Sequence, residues 1–317
     1  MSSPSLPRVV LIGDGPTGES AFRGLVENFP VVGVVRNVGP TDAGADPVLA
    51  LARANGCETA SAAHVGELEP FLERVGADLV VMSSYSRIVQ RSALEGRPYV
   101  NVHYSPLPAY RGRANVNWAI INGEDEAAIT VHSVVPGLDA GPVLAQRRVP
   151  IGPRDTVTHV YAQLNALQET MLAGAVHRRW RGELGDAQDE TAATYCCGRN
   201  PEDGLIDWSQ STVSIDRLIR ALTDPFPGAF SYLGRTRIGI DWAAPVVDPP
   251  RFVGRIPGRV VNVSRSEGSV DVLTGDGILR IDTVRVGGES ARASDVIRTV
   301  RATLGLSHLT LLALNEG

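Results

Sequence analysis

The chain has 317 residues, 43% of them hydrophobic, and a formal net charge of −5. This suits two domains of a soluble protein, each with its own core, and argues against a nucleic-acid binder, which needs a basic surface. All thirty basic residues are Arg, so a Schiff-base lysine for pyridoxal phosphate, a P-loop lysine and any lysine nucleophile or base are excluded. No apolar run approaches the roughly 20 residues that span a bilayer, and residues 1–8 lack the pattern of a signal peptide. The cysteines Cys57, Cys196 and Cys197 are odd in number and lack metal-ligand spacing, which points to a reducing cytoplasm without disulfides.

Arg8 to Ile12 reads as a first strand. Gly13-Asp14-Gly15-Pro16-Thr17-Gly18 follows it and opens a helix from Gly18 to Asn28. That is the dinucleotide-binding fingerprint, and it keeps an oxidoreductase open as an alternative of a different class. Pro16 removes an amide that would face a pyrophosphate. Arg36-Asn37, after a second strand at Val31 to Val35, stand where an NAD ribose would need an acidic residue. Arg36 suits NADP instead, and a plain strand-to-helix turn is the simpler reading. A helix at Pro47 to Asn55 and strands at Leu79 to Met82 and Tyr99 to Val102 come next. A helix at Asn115 to Asn122, strands at Ile129 to Val134 and Val143 to Val149, and a long helix from about Asp155 to Arg181 complete this half. Strands alternating with helices predict a doubly wound, mostly parallel sheet of Rossmann-like α/β class.

Gly182 to Asn200 is polar and reads as a connector. A helix near Ser214 to Leu222 and short strands at Ala229 to Leu233, Arg237 to Trp242, Arg259 to Val263, Ser269 to Leu273 and Ile278 to Val286 predict a small β-barrel. The expected division is 1–183, 184–200 and 201–317. An exposed barrel edge is expected to be able to pair with a second subunit in a homodimer. From Asn200 onward there are thirteen Arg against fourteen Asp and Glu, too near neutrality to grip tRNA.

The chemistry concentrates between Tyr99 and Gln146. Asn101 and His103, two apart on a strand, face the same side, at a strand end, where open α/β sheets bind ligands. The Asn amide can donate to a developing oxyanion, and the His can accept a proton from an attacking amine and return it to a leaving group. Asp139, between Gly137 and Gly141, lies in a turn able to swing back and orient the imidazole. Asn, His and Asp with their Pro-rich and Gly-rich loops, in this order, form a kit for acyl transfer to an amine. Arg111 and Arg113, around Gly112, are candidates to hold a phosphate or carboxylate of a substrate. Trp118, Trp208 and Trp242 are expected to pack in cores. His132, His159 and the pair Cys196-Cys197 are assigned no role.

Several runs resemble the folate-dependent formyltransferases. They are Val81-Met82-Ser83-Ser84-Tyr85-Ser86-Arg87, Asn101-Val102-His103, Ser105-Pro106-Leu107-Pro108-Ala109-Tyr110-Arg111-Gly112, Gly137-Leu138-Asp139-Ala140-Gly141, Pro201 to Trp208 and Thr223 to Phe230. The resemblance extends from about Pro7 to Gly288. It looks closest to the formylating half of the enzyme acting on UDP-4-amino-4-deoxy-L-arabinose, and is similar also to methionyl-tRNA formyltransferase and the N-hydroxyornithine formyltransferases. It implies 10-formyltetrahydrofolate as donor and no metal, with Asn101, His103 and Asp139 catalytic. Met82, Ser84, Tyr85, Arg87, Ile88, Gly137 and Leu138 would line the folate pocket, and Ser105, Arg111, Gly112 and Arg113 would meet the acceptor. It further implies an OB-like C-terminal barrel and a small amine or hydroxylamine as acceptor; because the sequence stops after the barrel, the decarboxylating domain of the bifunctional arabinose enzyme is expected to be absent. One departure is Pro106, where the family often has Leu; it stiffens the loop.

Overall fold

Val9–Gly13 and Leu79–Ser83 are buried at every position, as strands covered on both faces must be. They form the middle of a sheet in the computed structural model, which describes residues 5–36, 47–61, 68–85 and 91–306. The described residues fall into two units, those within 1–116, 125–151 and 160–198 and those within 117–124, 152–159 and 199–317.

In chain order the first part of the molecule holds β1 (Val9–Gly13), α1 (Gly15–Val26), β2 (Val31–Arg36), α2 (Pro47–Ala54), β3 (Glu58–Ser61), α3 (Leu68–Arg74), β4 (Leu79–Ser83), α4 (Arg91–Gly96) and β5 (Tyr99–His103). It continues with β6 (Arg111–Gly112), α5 (Asn115–Asn122), β7 (Glu126–Ser133), β8 (Val143–Pro150), α6 (Val157–Trp180) and β9 (Tyr195–Cys196). The seven-stranded sheet of the first unit runs β3-β2-β1-β4-β5-β7-β8. The first five of these strands are parallel, and β7 and β8 are antiparallel to their neighbours. Residues 134–142 hold no helix, so β7 and β8 can only pair as a hairpin. The core on one side joins Val10, Ile12, Val35, Phe71, Leu72, Val80 and Met82. β3 and α3 were not predicted: β3, Glu-Thr-Ala-Ser, is a polar edge strand without an apolar alternation, and α3 has only seven residues.

α1 begins at Gly15, not Gly18, with Pro16 in its first turn, where a missing N–H costs nothing. A Cβ on Gly13 would lie 2.5 Å from the Ser83 carbonyl oxygen, and one on Gly18 would lie 2.9 Å from the Gly13 carbonyl carbon. Close packing of β1, β4 and α1 thus accounts for two of the fingerprint's glycines without a nucleotide. Asn37 lies outside the described residues. A buried polar relay ties α6 to the same corner: Ser83 donates to Gln168 Oε1 (2.9 Å), and Gln168 Nε2 donates to the Thr17 carbonyl (2.8 Å) and to Ser20 Oγ (3.1 Å).

The second unit carries α7 (Thr212–Ala221), β10 (Ala229–Leu233), β11 (Thr236–Pro245), β12 (Val260–Ser264), β13 (Ser269–Leu273), β14 (Ile278–Val286), β15 (Glu289–Arg292) and α8 (Ala293–Val296). Its antiparallel sheet runs β10-β11-β14-β13-β12, with β15 also on β14. Residues 303 and 304 bridge to Arg259 and Leu233, so one short segment links the two outer strands. The barrel edge expected to be open is therefore covered along these residues. Trp208 is buried, with its indole N–H on Ser231 Oγ (2.9 Å). Trp242 departs from expectation: it is 38% exposed, under the Arg154 guanidinium at 4.8 Å. No helix among the described residues is long and apolar enough to cross a membrane.

Candidate active site

The register of three neighbouring strands places Met82 beside Asn101 and Asn101 beside His132. Paired residues share a face of the sheet, and all three line one cavity of about 590 Å³ in the first unit. His103 ends β5, two residues after Asn101 and on the same side, as the alternation predicts. The first turn of α1 contributes Thr17, at the point where strand order reverses between β1 and β4.

Hydrogen bonds fix the orientation of these groups. His132 Nδ1 lies 2.9 Å from the Ser133 carbonyl, which can only accept, so Nδ1 carries the proton. Nε2 then accepts from Asn101 Nδ2 at 3.1 Å. One amide hydrogen of Asn101 is thereby committed, and the other is left for the cavity. Burial pushes the His132 imidazole down to about 4, so its 3.8 Å approach to Asp139 Oδ1 is not an ion pair at neutral pH. His103 Nε2 donates to the Tyr110 carbonyl (2.9 Å), and its Nδ1 faces Asp139 Oδ2 at 3.6 Å. The same Asp139 oxygen accepts the Gly112 N–H at 2.9 Å. Both nitrogens of His103 thus face acceptors, and the carboxylate stands between two imidazoles.

Backbone strain gathers here. Among the described residues, five non-glycine residues have a left-handed backbone; Ser84 (φ 67°) and Asp139 (φ 48°) line the cavity, Ala114 (φ 56°) lies between Arg113 and Asn115, which do, and Tyr110 (φ 60°) turns its carbonyl to His103. Each such conformation costs on the order of 1–3 kcal/mol and persists where the surroundings over-determine it.

The structure brings Asn101, His103, Asp139, Met82, Ser84, Tyr85, Gly112, Arg113, Gly137 and Leu138 to this cavity. Arg87 and Ile88 lie outside the described residues. Two expectations need correction. Arg111 is 1% exposed, with both terminal nitrogens on Glu190 (2.7 and 2.9 Å) and its face over Tyr195; the bond to Glu190 raises its pKa further. It is a buried structural ion, closed to a substrate phosphate. Ser105 is 2% exposed, donates to the Ala109 carbonyl within the Pro-rich loop (2.9 Å) and does not line the cavity. Two residues given no role also line the cavity. His132 is one. Cys196, whose thiol burial pushes up to about 11, is the other. Tyr104 and Tyr161 also line the cavity, with ring centroids 5.7 Å apart. Burial pushes the Tyr161 phenol up to about 12 and raises Tyr104 as well. No group of three or more His, Cys, Asp or Glu among the described residues is placed to hold a metal.

His132 predicts a pH dependence of stability. Its folded value, about 4, lies below the ordinary 6.5. Between these limits the unfolded chain binds a proton that the native state refuses, so native stability falls as pH drops through this window, by at most about 1.4 kcal/mol per pH unit from this residue. Urea unfolding at pH 7 and pH 4.5 should show a smaller acid loss for His132→Gln than for the parent. Equal losses would place the acid sensitivity elsewhere.

An open α/β sheet whose strand ends gather an amide, two imidazoles and a carboxylate into one cleft defines a group-transfer enzyme. The formyl transferase family matches residues 37–176, and the formyl transferase C-terminal domain matches residues 199–301, together more than half of the chain. The chain belongs to the folate-dependent formyltransferase family. Solved structures share the fold. HypX from Aquifex aeolicus, in complex with tetrahydrofolic acid, is 19% identical over 92% of this chain and 47% of its own, with a TM-score of 0.66. This chain thus spans about half of that protein. An N-formyltransferase from Helicobacter canadensis, in complex with folinic acid and dTDP-3-aminofucose, is 19% identical over 87% of this chain and 98% of its own, with a TM-score of 0.65. Glycinamide ribonucleotide transformylase 1 from Symbiobacterium toebii is 24% identical over 57% of this chain and 94% of its own, with a TM-score of 0.51.

Proposed function

We propose that the cavity takes 10-formyltetrahydrofolate and a small amine or hydroxylamine, and that Asn101, His103 and Asp139 transfer the formyl group between them. The observation that carries this reading is the convergence of Asn101, His103, His132 and Asp139 at one strand end, with Asn101 and His103 each held in one orientation. The donor fits the lining. Met82, Val102, Val134, Pro136 and Leu138 offer apolar surface for a flat ring system, and Ser84 and Tyr85 offer polar groups at its edge. When bound, the donor supplies an electrophilic formyl carbon and a nitrogen leaving group.

The remaining chemistry belongs to the chain. The second Asn101 N–H holds the formyl oxygen as it gains charge. The attacking nitrogen forms the new C–N bond and surrenders its proton to His103 Nδ1, the ring nitrogen not engaged with the Tyr110 carbonyl, and Asp139 orients the ring and stabilises it when charged. The same proton returns to the departing nitrogen as the old C–N bond breaks. The products are an N-formylated acceptor and tetrahydrofolate. Neutral His132 holds the Asn101 amide.

Arg113, the one guanidinium among the described cavity residues, suits an acceptor bearing a phosphate or carboxylate. A nucleotide-linked amino sugar or N-hydroxyornithine meets that description. Methionyl-tRNA is the second reading, and the near-neutral charge from Asn200 onward speaks against it. Incubation with 10-formyltetrahydrofolate and separate pools of UDP- and dTDP-amino sugars, N5-hydroxyornithine and methionyl-tRNA tests the reading. Tetrahydrofolate release with formylation in a small-molecule pool is expected. Formylation of methionyl-tRNA alone would replace the acceptor class, and failure to bind the donor would remove the reading.

A further inference from the structure

Asp139 keeps a left-handed backbone at φ 48°, and a contact from outside its own loop can brace it there. The side chain of Gln188 does so from the segment that reads in sequence as a connector. Gln188 Nε2 donates to the carbonyls of Asp139 and Gly141, both at 2.7 Å, spending both amide hydrogens. Gln188 Oε1 accepts from Arg111 Nη2 at 2.8 Å and from Nε at 3.3 Å. The amide orientation is therefore unambiguous: only its nitrogen can face two carbonyls, and only its oxygen can face a guanidinium. Arg111 is itself locked by Glu190 on two bonds and by burial. A chain of hydrogen bonds, charge-assisted as far as Gln188, thus runs from Glu190 through Arg111 and Gln188 into the backbone on either side of Ala140.

We propose that Gln188 is a positioning residue. It fixes the Asp139 loop so that the carboxylate meets His103 and the Gly112 N–H, and Arg111 and Glu190 fix Gln188. Its consequence for turnover rests on the formyl-transfer reading above; its consequence for the histidines does not.

Two variants test it. Gln188→Met keeps the side-chain length and removes both donors. Gln188→Glu keeps the partner of Arg111 but turns an acceptor toward the two carbonyls. Each should lower kcat on the order of 10–100-fold, the scale set by small misplacements of a catalytic group, while the KM for 10-formyltetrahydrofolate stays within about threefold of the parent. In an Asp139→Asn background the same substitutions should add little further loss, because the interaction they disturb is already gone. A purely structural role would give additive losses in that cycle and would overturn the proposal. Side-chain 15N spectra of His103 and His132, assigned with His103→Gln and His132→Gln, supply an arm independent of turnover. Both resonances should shift in the Gln188 variants, and unchanged shifts in a folded variant would also overturn it. If the parent protein formylates none of the acceptors offered, the formyl-transfer reading fails, and the histidine spectra still decide whether Gln188 positions Asp139. Should Gln188→Met fail to fold, Gln188→Glu carries the same measurements.

Discussion

His103→Ala is expected to lower kcat for formyl transfer by roughly 10²–10⁴-fold, the range for loss of a positioned general base. Folate affinity, measured by tryptophan quenching with folinic acid, should change by only a few-fold. The geometry separates the two effects. The imidazole ends β5 with one nitrogen on the Tyr110 carbonyl and the other toward Asp139, whereas the apolar surface available to a ring system comes from Met82, Val134 and Leu138. Folding should survive, because the Tyr110 carbonyl still accepts from Asn115 Nδ2 and Asp139 still accepts from Gly112. Asn101→Ala should cost about 10²–10³-fold, as for removal of one oxyanion donor. Near-normal turnover by purified His103→Ala would take the general-base role away from this residue.

Gly141→Ala should damage both stability and turnover. A Cβ there would lie 1.6 Å from the Ser133 carbonyl oxygen, 2.7 Å from the Ser133 carbonyl carbon and 3.1 Å from His132 Nδ1. Two of these are backbone atoms of β7 and cannot swing aside, so the loop or the strand must move. Overpacking of this kind costs about 1–3 kcal/mol and occasionally more. Any relief displaces Asp139, two residues away, and disturbs the His132 bond that orients Asn101, so a drop in kcat on the order of 10²-fold should accompany it. Gly174→Ala is the control: it lies on the exposed side of α6 with nothing within 4 Å of the new methyl, and should be neutral or slightly stabilising. Denaturant midpoints and initial rates for the two variants make the comparison. Parent-like values for Gly141→Ala would show that residues 137–141 move freely and that their placement is not needed.

The features legible in the sequence were those that depend on neighbours along the chain. Alternation along Tyr99–His103 put Asn101 and His103 on one side, and that placement held because a strand's period is two wherever it lies. Asn115–Asn122, Ala229–Leu233, Ser269–Leu273 and Ile278–Val286 were read with the bounds they have, since their apolar patterns end in turn formers. The short polar strand β3 carried no such pattern. α1 starts three residues before the expected Gly18, because the first turn of a helix accepts Pro16.

What lay beyond the sequence was every pairing between distant segments. His132 looked like a strand residue among apolar neighbours, and only the antiparallel register of β5 and β7 sets it against Asn101. Arg111 and Arg113 were indistinguishable as loop cations. Tertiary structure separated them, because Glu190 and Gln188 close around the first, whereas the second lines the cavity. Gln188 sat in a polar stretch without periodicity, and its two donors acquire meaning only where the Asp139 and Gly141 carbonyls meet them. Periodicity and turn chemistry are local properties of the chain, so sequence alone determined the strand carrying Asn101 and His103 and the glycine-flanked turn carrying Asp139. Which partner each polar group meets depends on long-range register and burial, and those were decided only when the chain folded.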